Sequence, residues 1–475
     1  MQLLLTVQAG RVTIDILPDD VLLLIFHFDG LTYLEEGIIL SWFRSSWHRL
    51  VHVCRRWRSV VFASPNFLDL KLSCCPGSSV GLWPPLPIVI RRIDWHMPND
   101  FDHDAAIMQN NRVCEIDISL KSPQLRRLVR EMQVPFPALI YLALYCVGSF
   151  NGPEALPPAG SLPDGFLGGS SPRLQTLTLV SIPFPALPKL LLSATDLVRL
   201  TLDNIPNHIP PEAMVIGLAM SANLKFLTVK FQSLPDPDEE RQHPPPPTRS
   251  VLPALTHFEF QGNGEYLQVL VAWIDAPLLD TICITIFFGL FRFPLLQLAQ
   301  FMQSTTRFEA LSETHVEFDD YRLRVKFLPP TPTIVKNSRL RISFQRRDWL
   351  LPLAGFFTSI LPSIYIVETL YITRSQDITF QARYQVEDEK LRWLEFFRLL
   401  TAVKNLYLSR EFALHIFPAF QYLVEEREAD VLPALENLFL EGLQTWGHDQ
   451  EAIESFVAAR QLAGHPIAVS RWDGI

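Results

Sequence analysis

The chain of 475 residues lacks the features that mark secreted disulfide-rich proteins and membrane-spanning proteins. Its six cysteines form no C-x-x-C pair, which in a chain of this length indicates reduced thiols. The longest apolar run, 282–291, extends over about ten residues, whereas a membrane span needs about 20. We therefore expect a protein of the cytoplasm or nucleus that has no membrane partner.

Sequence motifs that carry chemistry are also missing. There is no Walker A loop, no G-x-G-x-x-G, no H-E-x-x-H, no G-x-S-x-G and no Cys/His zinc spacing. Asp102, His103 and Asp104 could supply metal ligands, but adjacent residues point in different directions, which favours a surface loop. We expect a protein without enzymatic activity, cofactor or metal.

Charge is scarce and its balance is acidic. Only 19% of residues are charged, and 41 basic against 50 acidic residues give a net charge of −9. An acidic chain is a poor general ligand for nucleic acid, so we expect no nucleic-acid partner. Apolar residues, at 48%, are sufficient for a large core, and the 38 prolines predict frequent interruptions.

A helix is predicted to begin at Pro18. Proline suits a first turn because its missing N–H costs nothing there, and Asp19 and Asp20 oppose the positive end of the helix. Six apolar residues then follow without a break over 21–26. A helix that is apolar all round must be covered on more than one side.

A second helix is predicted over about 45–62. Its apolar face has helical spacing and consists of Trp47, Leu50, Val51, Cys54, Trp57 and Val61. Arginines occupy much of the remaining surface, namely Arg44, Arg49, Arg55, Arg56 and Arg58. Three interpretations of them are open: a solvated side, a complement to an acidic adaptor, or, less favoured in an acidic chain, a nucleic-acid patch.

Two short strings in this region resemble the F-box, in the form found in many fungal F-box proteins. They are Leu17-Pro18-Asp19-Asp20-Val21-Leu22 and Val53-Cys54-Arg55-Arg56-Trp57-Arg58. The resemblance covers about 15–70, and the gap between the strings, within 29–46, is about ten residues longer than is typical of the family. In that family the module binds the adaptor Skp1, and through it a cullin.

The resemblance assigns the Skp1 contact to the matched positions. These are Leu17, Pro18, Val21, Leu22, Ile25, Phe26, Leu50, Val53, Cys54 and Trp57. The alternative is that 21–26 and the tryptophan face are core of a larger domain.

A degenerate repeat, L-x-x-L-x-L with any apolar residue at each L, recurs in the remaining four hundred residues. Copies begin at Val113, Leu139, Leu174, Leu197, Leu224, Leu255, Leu279, Val367, Val403 and Leu435, mostly at intervals of about 23–36 residues. The L-x-L core predicts a short strand, and the interval leaves room for one returning helix. Such helices are predicted at 211–221, 265–274, 295–302, 390–400, 416–428 and 451–462.

This pattern resembles a leucine-rich-repeat array, an α/β solenoid with parallel strands on the concave side and helices on the convex side. It departs from regular repeats where the family has asparagine. The residues there are Val147, Ile182, Ile205, Phe287 and Leu443, and only Asn263 matches. The repeats are therefore expected to be irregular, with no clean copy between 308 and 345.

The predicted organisation is an F-box over 11–70, a linker and first strand over 71–110, and a repeat domain over 111–475. Gly- and Pro-rich loops are expected near 151–172 and 235–250. The second loop contains four successive prolines that could dock an SH3 or WW domain, although a solvated loop is favoured.

The resemblances together imply a non-catalytic substrate receptor of an SCF-type (Skp1–cullin–F-box) ubiquitin ligase. The alternative is a repeat scaffold without a ligase role, whose N-terminal helices dock internally as a cap, and an enzyme on a repeat framework is least favoured. The target is not indicated, because the x positions of the strands carry side chains of mixed chemistry. Arg199 and Lys225 are the only hint of an arginine-rich, phosphate-binding face.

Overall fold

The computed structural model describes residues 14–35, 46–74, 84–92, 107–147, 162–183, 189–206, 209–232, 249–287, 296–305, 312–319, 322–328, 340–345, 367–374, 386–426, 431–442 and 449–473. The fold is mixed α/β with a large, mostly parallel sheet. The chain divides into two compact units, one of 1–148 and 165–174 and one of 149–164 and 175–475. Several predicted features lie outside the described residues, among them 102–104, the loop segments 151–161 and 235–248, and the part 36–45 of the gap between the two F-box-like strings.

In the described residues, the first unit combines three N-terminal helices with a small parallel sheet and a fourth, connecting helix. The helices are α1 (Asp19–Glu35), α2 (Ser46–Val53) and α3 (Arg55–Ala63), preceded by a 3-10 turn at Ile14–Ile16. The strands are β1 (Leu72–Cys74), β2 (Ile88–Arg92), β3 (Val113–Lys121) and β4 (Tyr141–Val147), and helix α4 (Ser122–Glu131) connects the last two. They pair in parallel in chain order, and the segment 71–110 contains both β1 and β2.

The single helix predicted over about 45–62 is two helices, α2 and α3, separated at Cys54. Cys54 has extended backbone (φ −156°, ψ 171°), and its sulfur accepts the backbone N–H of Trp57 at 3.4 Å. It is therefore the N-cap of α3. The helical spacing of apolar residues continues across this one-residue break, so periodicity could not reveal it.

The second unit alternates strands and helices. It contains β5 (Thr176–Val180), α5 (Lys189–Ser193), β6 (Arg199–Ile205), α6 (Pro211–Ala219), β7 (Phe226–Phe231), β8 (Ser250–Val251), β9 (His257–Gly262), α7 (Gly264–Trp273), β10 (Ile274–Asp275), β11 (Thr281–Ile286), α8 (Leu296–Gln303), β12 (Glu313–Asp319), β13 (Arg322–Leu328), β14 (Leu340–Gln345), β15 (Thr369–Arg374), α9 (Val386–Arg398), β16 (Asn405–Leu408), α10 (Arg410–Glu426), β17 (Asn437–Glu441), α11 (Asp449–Leu462) and β18 (Ala468–Trp472). The sheet order is β5-β6-β7-β9-β11-β14-β13-β12-β15-β16-β17-β18, and β8 pairs separately with β10. Helices α6 to α11 overlap the six segments predicted to return between strands.

The repeat motif explains the core. Every copy of L-x-x-L-x-L leads into a strand, and all of its apolar positions are buried. In most copies the residue between the last two apolar positions remains partly exposed, as the alternating burial of β5 and β7 shows, whereas Ala143 on β4 is buried. Consecutive helices also contact one another, for example α7 with α8 and α10 with α11. One face of each strand that carries the motif thus packs in the core, and the other, called the open face below, carries the x positions.

Three of the missing asparagines of the repeat are replaced by buried apolar side chains, whereas Val147 is partly exposed and Leu443 lies outside the described residues. Ile182, Ile205 and Phe287 are at most 9% exposed, so hydrophobic packing fills the turns after these strands. Asn263 has a different role. Its side-chain oxygen accepts the backbone N–H of Glu265 at 3.0 Å, so Asn263 is the N-cap of α7.

The region without a clean repeat contains three strands. The strand β13 is antiparallel to both β12 and β14, whereas β12 pairs in parallel with β15 and β14 with β11. Only 320–321 separate β12 from β13, so the chain turns back at once and no helix intervenes.

Among the described residues, no helix is long and apolar enough to cross a membrane.

Gly262, at the end of β9, offers a test of this packing. A Cβ at this position would lie 2.9 Å from ring atoms of both Phe231 and Phe260, which are each 1% exposed. Because buried rings cannot swing away, we expect Gly262→Ala to lower the free energy of unfolding by about 1–3 kcal/mol. Urea unfolding of the full chain measures this. Ile216→Ala, at a position 59% exposed, is the control, and an equal effect of both changes would contradict the packing argument.

Candidate protein-binding surfaces

The three helices of the first unit share a small core. Leu22 and Phe26, one helical turn apart on α1, are 0% and 2% exposed. The ring of Phe26 packs on that of Trp57, with centroids 4.7 Å apart. One face of α1 is therefore covered from within the chain.

Polar contacts fix the position of these helices. The guanidinium of Arg56 on α3 donates to the Asp19 carboxylate at 2.7 and 3.0 Å, and also to the backbone carbonyl of Leu17. The indole N–H of Trp47 donates to the carbonyl of Lys71 at 3.1 Å, just before β1. Both ends of the helical segment are thus tied to defined points of the chain.

The opposite side of α1 is exposed. Val21, Leu24, Ile25 and Phe28 follow helical spacing and form what we call the apolar stripe. Leu24 is 50% exposed, Ile25 is 41% exposed and Phe28 is 65% exposed. Among the residues that the structure describes, this helix is therefore covered on one side only.

The ten positions assigned by resemblance differ in exposure. Leu22 and Phe26 are buried in the helical core, and Pro18, Ile25 and Val53 are exposed. The other five, Leu17, Val21, Leu50, Cys54 and Trp57, are partly exposed. Leu24 and Phe28 were not among the predicted residues. Their helical spacing from Val21 was the available signal, but matching motif positions does not separate the two faces of a helix.

A charged cluster lies on the partly exposed side of the first unit's strands. The carboxylate of Glu115 on β3 accepts from Lys71 at 2.9 Å and from Arg91 at 2.6 Å. Burial acts to raise the pKa of Glu115, but these two cations outweigh it and hold the pKa below its usual value. Burial also raises the pKa of the nearby Tyr141 to about 12.

The strand register of the second unit places one side chain from each of its twelve strands in the large sheet in a single row on the open face. The row reads Thr178, Thr201, Thr228, Glu259, Cys283, Arg341, Lys326, His315, Tyr371, Tyr407, Phe439 and Ser470. It passes from small polar residues through charged residues to aromatic ones. The open face therefore has no single chemistry.

Four rings of this row stack on one another, and we call them the aromatic stack. The centroids of His315 and Tyr371 are 4.3 Å apart, those of Tyr371 and Tyr407 are 4.2 Å apart, and those of Tyr407 and Phe439 are 4.2 Å apart. Strands about 4.8 Å apart bring in-register flat rings naturally to this distance. Trp472 meets Tyr371 and Tyr407 edge-on, at 6.0 and 5.5 Å.

Polar side chains run beside the stack. Asn437 donates to the side-chain oxygen of Asn405 at 2.9 Å, and Asn405 donates to the hydroxyl of Thr369 at 3.3 Å. The ring of His315 contacts the Glu313 carboxylate at 2.6 Å. Burial, the charge of Glu313 and the neighbouring Tyr407 all raise the pKa of Tyr371, so this phenol stays neutral.

A shorter stack lies in the first half of the second unit. Phe226 and His257 have ring centroids 4.6 Å apart, and the guanidinium carbon of Arg199 lies 3.9 Å from the centroid of the Phe226 ring. These three residues are in register on β6, β7 and β9. Arg199, the predicted hint of a phosphate-binding face, thus makes a cation–π contact within the chain.

The described residues contain no group of three or more His, Cys, Asp and Glu that could hold a metal ion. The chain has no match among known protein families, curated proteins or solved structures. The described residues thus present an apolar stripe and a charged cluster in the first unit, and a mixed polar and aromatic open face in the second.

The two faces of α1 predict different effects of truncation. Leu22→Ala should lower the free energy of local unfolding by about 2–5 kcal/mol, because it leaves a cavity in the helical core. Ile25→Ala, on the exposed face, is the matched control and should change it by less than about 0.5 kcal/mol. Hydrogen exchange of amides in α1 and α3 measures both. Equal losses of protection would mean that the two faces are wrongly assigned.

Glu317 on β12 predicts a pH dependence. Burial acts to raise the pKa of Glu317, but hydrogen bonds and charge from Lys326 and Arg324 hold it below the usual value of 4.5. A carboxyl whose pKa is lower in the folded chain stabilises the fold above its unfolded pKa, and this contribution is lost as pH falls through the folded pKa. We expect Glu317→Gln to reduce the fall in urea midpoint between pH 5 and pH 3, roughly the window of this titration.

Glu451→Gln, at an exposed position of α11, is the control for this measurement. An unchanged pH profile in the Glu317 variant would show that the three charged residues do not contribute as described.

Proposed function

We propose that the protein is the F-box substrate receptor of an SCF-type ubiquitin ligase. The three helices of the first unit would bind a Skp1-like adaptor, and the open face of the sheet would bind a protein target. The observation that carries the proposal is the apolar stripe, which is exposed on a module that already has its own core. The role of the protein in ubiquitin transfer would be to raise the effective concentration of the target and to orient it, without chemistry of its own.

The stripe supports an adaptor interface on energetic grounds. Burying a side chain of the size of leucine or phenylalanine stabilises a complex by about 1.5–3 kcal/mol relative to leaving it in water. Leu24, Ile25 and Phe28 are adjacent on the helix surface, so a partner helix or groove can cover them together. They lie between the two strings that resemble the F-box.

The repeat motif supports a leucine-rich-repeat-like solenoid for the target-binding part. In this interpretation the open face is the concave surface and the contacting helices α6 to α11 are the convex layer. Each repeat shares its core with its neighbours, which agrees with the burial of every apolar motif position. The reversed strand β13 makes the array irregular.

A repeat scaffold without a ligase role is the second candidate. The observation that favours it is that the three helices belong to the same compact unit as β1 to β4, with Trp47 bonded to the Lys71 carbonyl. Helices held in this way could act as a terminal cap. A cap gives no reason for the apolar stripe to remain exposed, so the receptor is preferred.

Co-expression of the full chain with Skp1 tests the proposal. Ile25→Asp and Leu24→Asp put a charge into the stripe without touching the helical core, and we expect each to weaken binding by about thirtyfold or more, as at an interface hot spot. Substitution of Leu22 is a poorer choice because that residue is 0% exposed, and loss of folding would imitate loss of binding.

Ile216→Asp is the matched control, since Ile216 is a 59% exposed isoleucine on a helix of the second unit. It should bind Skp1 like the unaltered chain. Absence of a complex with the unaltered chain, or a complex indifferent to both stripe substitutions, would rule out this role and leave the scaffold.

A further inference from the structure

The open face of β3 and β4 carries polar side chains around a buried alanine. On β4, Tyr141, Ala143 and Tyr145 occupy successive positions of this face, and Ala143 is 0% exposed. The strand register places Asp117 of β3 beside Ala143, and Ser119 of β3 beside Tyr145. The carboxylate, the hydroxyl and the two phenols therefore surround one small side chain, and we call these four residues the Asp117 cluster.

Two members of the Asp117 cluster have polar atoms without a partner. Among the described residues, the carboxylate of Asp117 makes no hydrogen bond and no ion pair. The hydroxyl oxygen of Ser119 is buried, and nothing in the described part of the chain bonds to it. A polar group that is wholly or partly buried costs free energy unless it is paired. The cluster therefore lacks a group that donates hydrogen bonds.

The cations nearest to Asp117 contact other carboxylates. Arg91 of β2 stands beside Asp117 in the register, but its guanidinium contacts Glu115 at 2.6 Å. Lys71 contacts Glu115 at 2.9 Å and Asp69 at 3.1 Å. Burial raises the pKa of Asp117, and the attraction of Arg91, opposed by the charge of Glu115, does not bring the pKa back to its usual value. The charge of Asp117 is therefore not compensated by these neighbours.

Net charge alone does not select a ligand for this face. The described charged side chains of β1 to β3 and the approach to β1 on this face are Asp69, Lys71, Arg91, Glu115, Asp117 and Lys121, with a formal sum of 3 − 3 = 0, and β4 adds none. Lys121 lies four residues beyond Asp117 on the same strand, or about 13 Å. What selects a ligand is contact, because Asp117 is the anion of this set that no described cation touches.

An ammonium group supplies what the cluster lacks. It carries the charge opposite to that of Asp117 and three N–H donors, and the carboxylate, the hydroxyl and both phenol oxygens can accept. Both phenols lie within range of Asp117, because burial and then the charge of Asp117 raise the pKa of Tyr141, to about 12, and that of Tyr145. A cation bound at Asp117 is therefore within reach of the whole cluster.

We propose that the Asp117 cluster binds a lysine ammonium of the protein held by the open face. The inference rests on the proposed function, in which this face holds the target, and it adds the chemistry of one target side chain. Lysine fits better than arginine because its compact ammonium can donate in three directions to acceptors on two strands, whereas a guanidinium is a rigid flat fork that suits one bidentate acceptor. A trimethylated ammonium has no N–H and would leave Ser119 unpaired.

A random linear peptide library displayed on phage is the probe. It is panned on the full-length protein and, in parallel, on Asp117→Asn. We expect lysine to be enriched at one position of the peptides that bind the unaltered protein. Replacing that lysine by arginine or trimethyllysine in a synthetic peptide, or Asp117 by asparagine in the protein, should weaken binding by about tenfold or more, because a charged hydrogen bond is lost. Ser119→Ala should weaken it by about fivefold.

Both variants keep the test independent of folding. A carboxyl whose pKa is raised in the folded chain destabilises the fold at pH 7, so Asp117→Asn should keep or raise the urea midpoint while it weakens binding. Ser119→Ala removes a buried hydroxyl without a partner and should not lower the midpoint either. A merely structural role of Asp117 predicts the reverse, a lower midpoint.

Asp203→Asn is the matched control, since Asp203 is an aspartate of the open face on β6 that lies 3.9 Å from a cation, Lys230. It should leave binding of the lysine peptide unchanged. The proposal is overturned by a selection without enriched lysine, by equal binding of the lysine and arginine peptides, or by binding that is indifferent to both Asp117→Asn and Ser119→Ala.

Skp1 binding measured on the same variants separates this inference from the proposed function. The Asp117 and Ser119 substitutions should leave it unchanged. A chain that binds lysine peptides through Asp117 but never binds Skp1 retains this site and loses the receptor role. A chain that binds Skp1 but shows no lysine preference retains the receptor role and loses this site.

Discussion

The register of neighbouring strands is the constraint on which the second unit depends. Side chains alternate across a strand, so a slip of one residue would carry every apolar motif position from the core to the open face. Each strand that carries the repeat motif buries several apolar residues, such as Leu200 and Leu202 on β6. Each of these side chains stabilises the alignment by about 1.5–3 kcal/mol. The alignment that buries them also fixes which residues stand side by side on the open face.

The aromatic stack is a consequence of that alignment rather than an additional device. Tyr371, Tyr407 and Phe439 each occupy the x position between two buried apolar residues of their strand. Core burial therefore sets their spacing, and the rings have only to turn parallel. The reversed strand β13 respects the same row, since Lys326 stands between Arg341 and His315 although the chain runs in the opposite direction. Register is kept through the reversal because alternation is the same in both directions.

The strands and helices that bury apolar residues could be predicted from the sequence. The break at Cys54 and the strands β12 and β13, which depend on local features of the chain, could not. Strands and returning helices follow from the apolar spacing of the repeat, and this part of the fold is confirmed as a mixed α/β, mostly parallel arrangement. The break at Cys54 was missed because a thiol cap leaves the apolar spacing unchanged. Strands β12 and β13 were missed because the chain turns back within two residues and no repeat interval is left to recognise.

The candidate surfaces, too, could be predicted from the sequence only in part. Tyr371, Tyr407 and Phe439 hold the same place in three aligned repeats, so their proximity was available in the sequence, whereas His315 belongs to no repeat and needed the structure. On α1, composition could show that six successive residues are apolar, but only the packing of Phe26 on Trp57 decides which side is covered. The exposed side of α1 is therefore the side that α2 and α3 do not cover.

The two surfaces suit different kinds of recognition for physical reasons. Burial of the apolar stripe is non-directional and depends mainly on area, so any partner with a complementary apolar groove gains most of the available energy. The aromatic stack offers little area of this kind, because its rings already cover one another at 4.2–4.3 Å. Within the described residues, it leaves mainly ring edges and phenol groups available, and these stabilise only a ligand group of matching shape and charge. The apolar stripe therefore suits binding of one constant partner. The aromatic stack suits discrimination between different ligands.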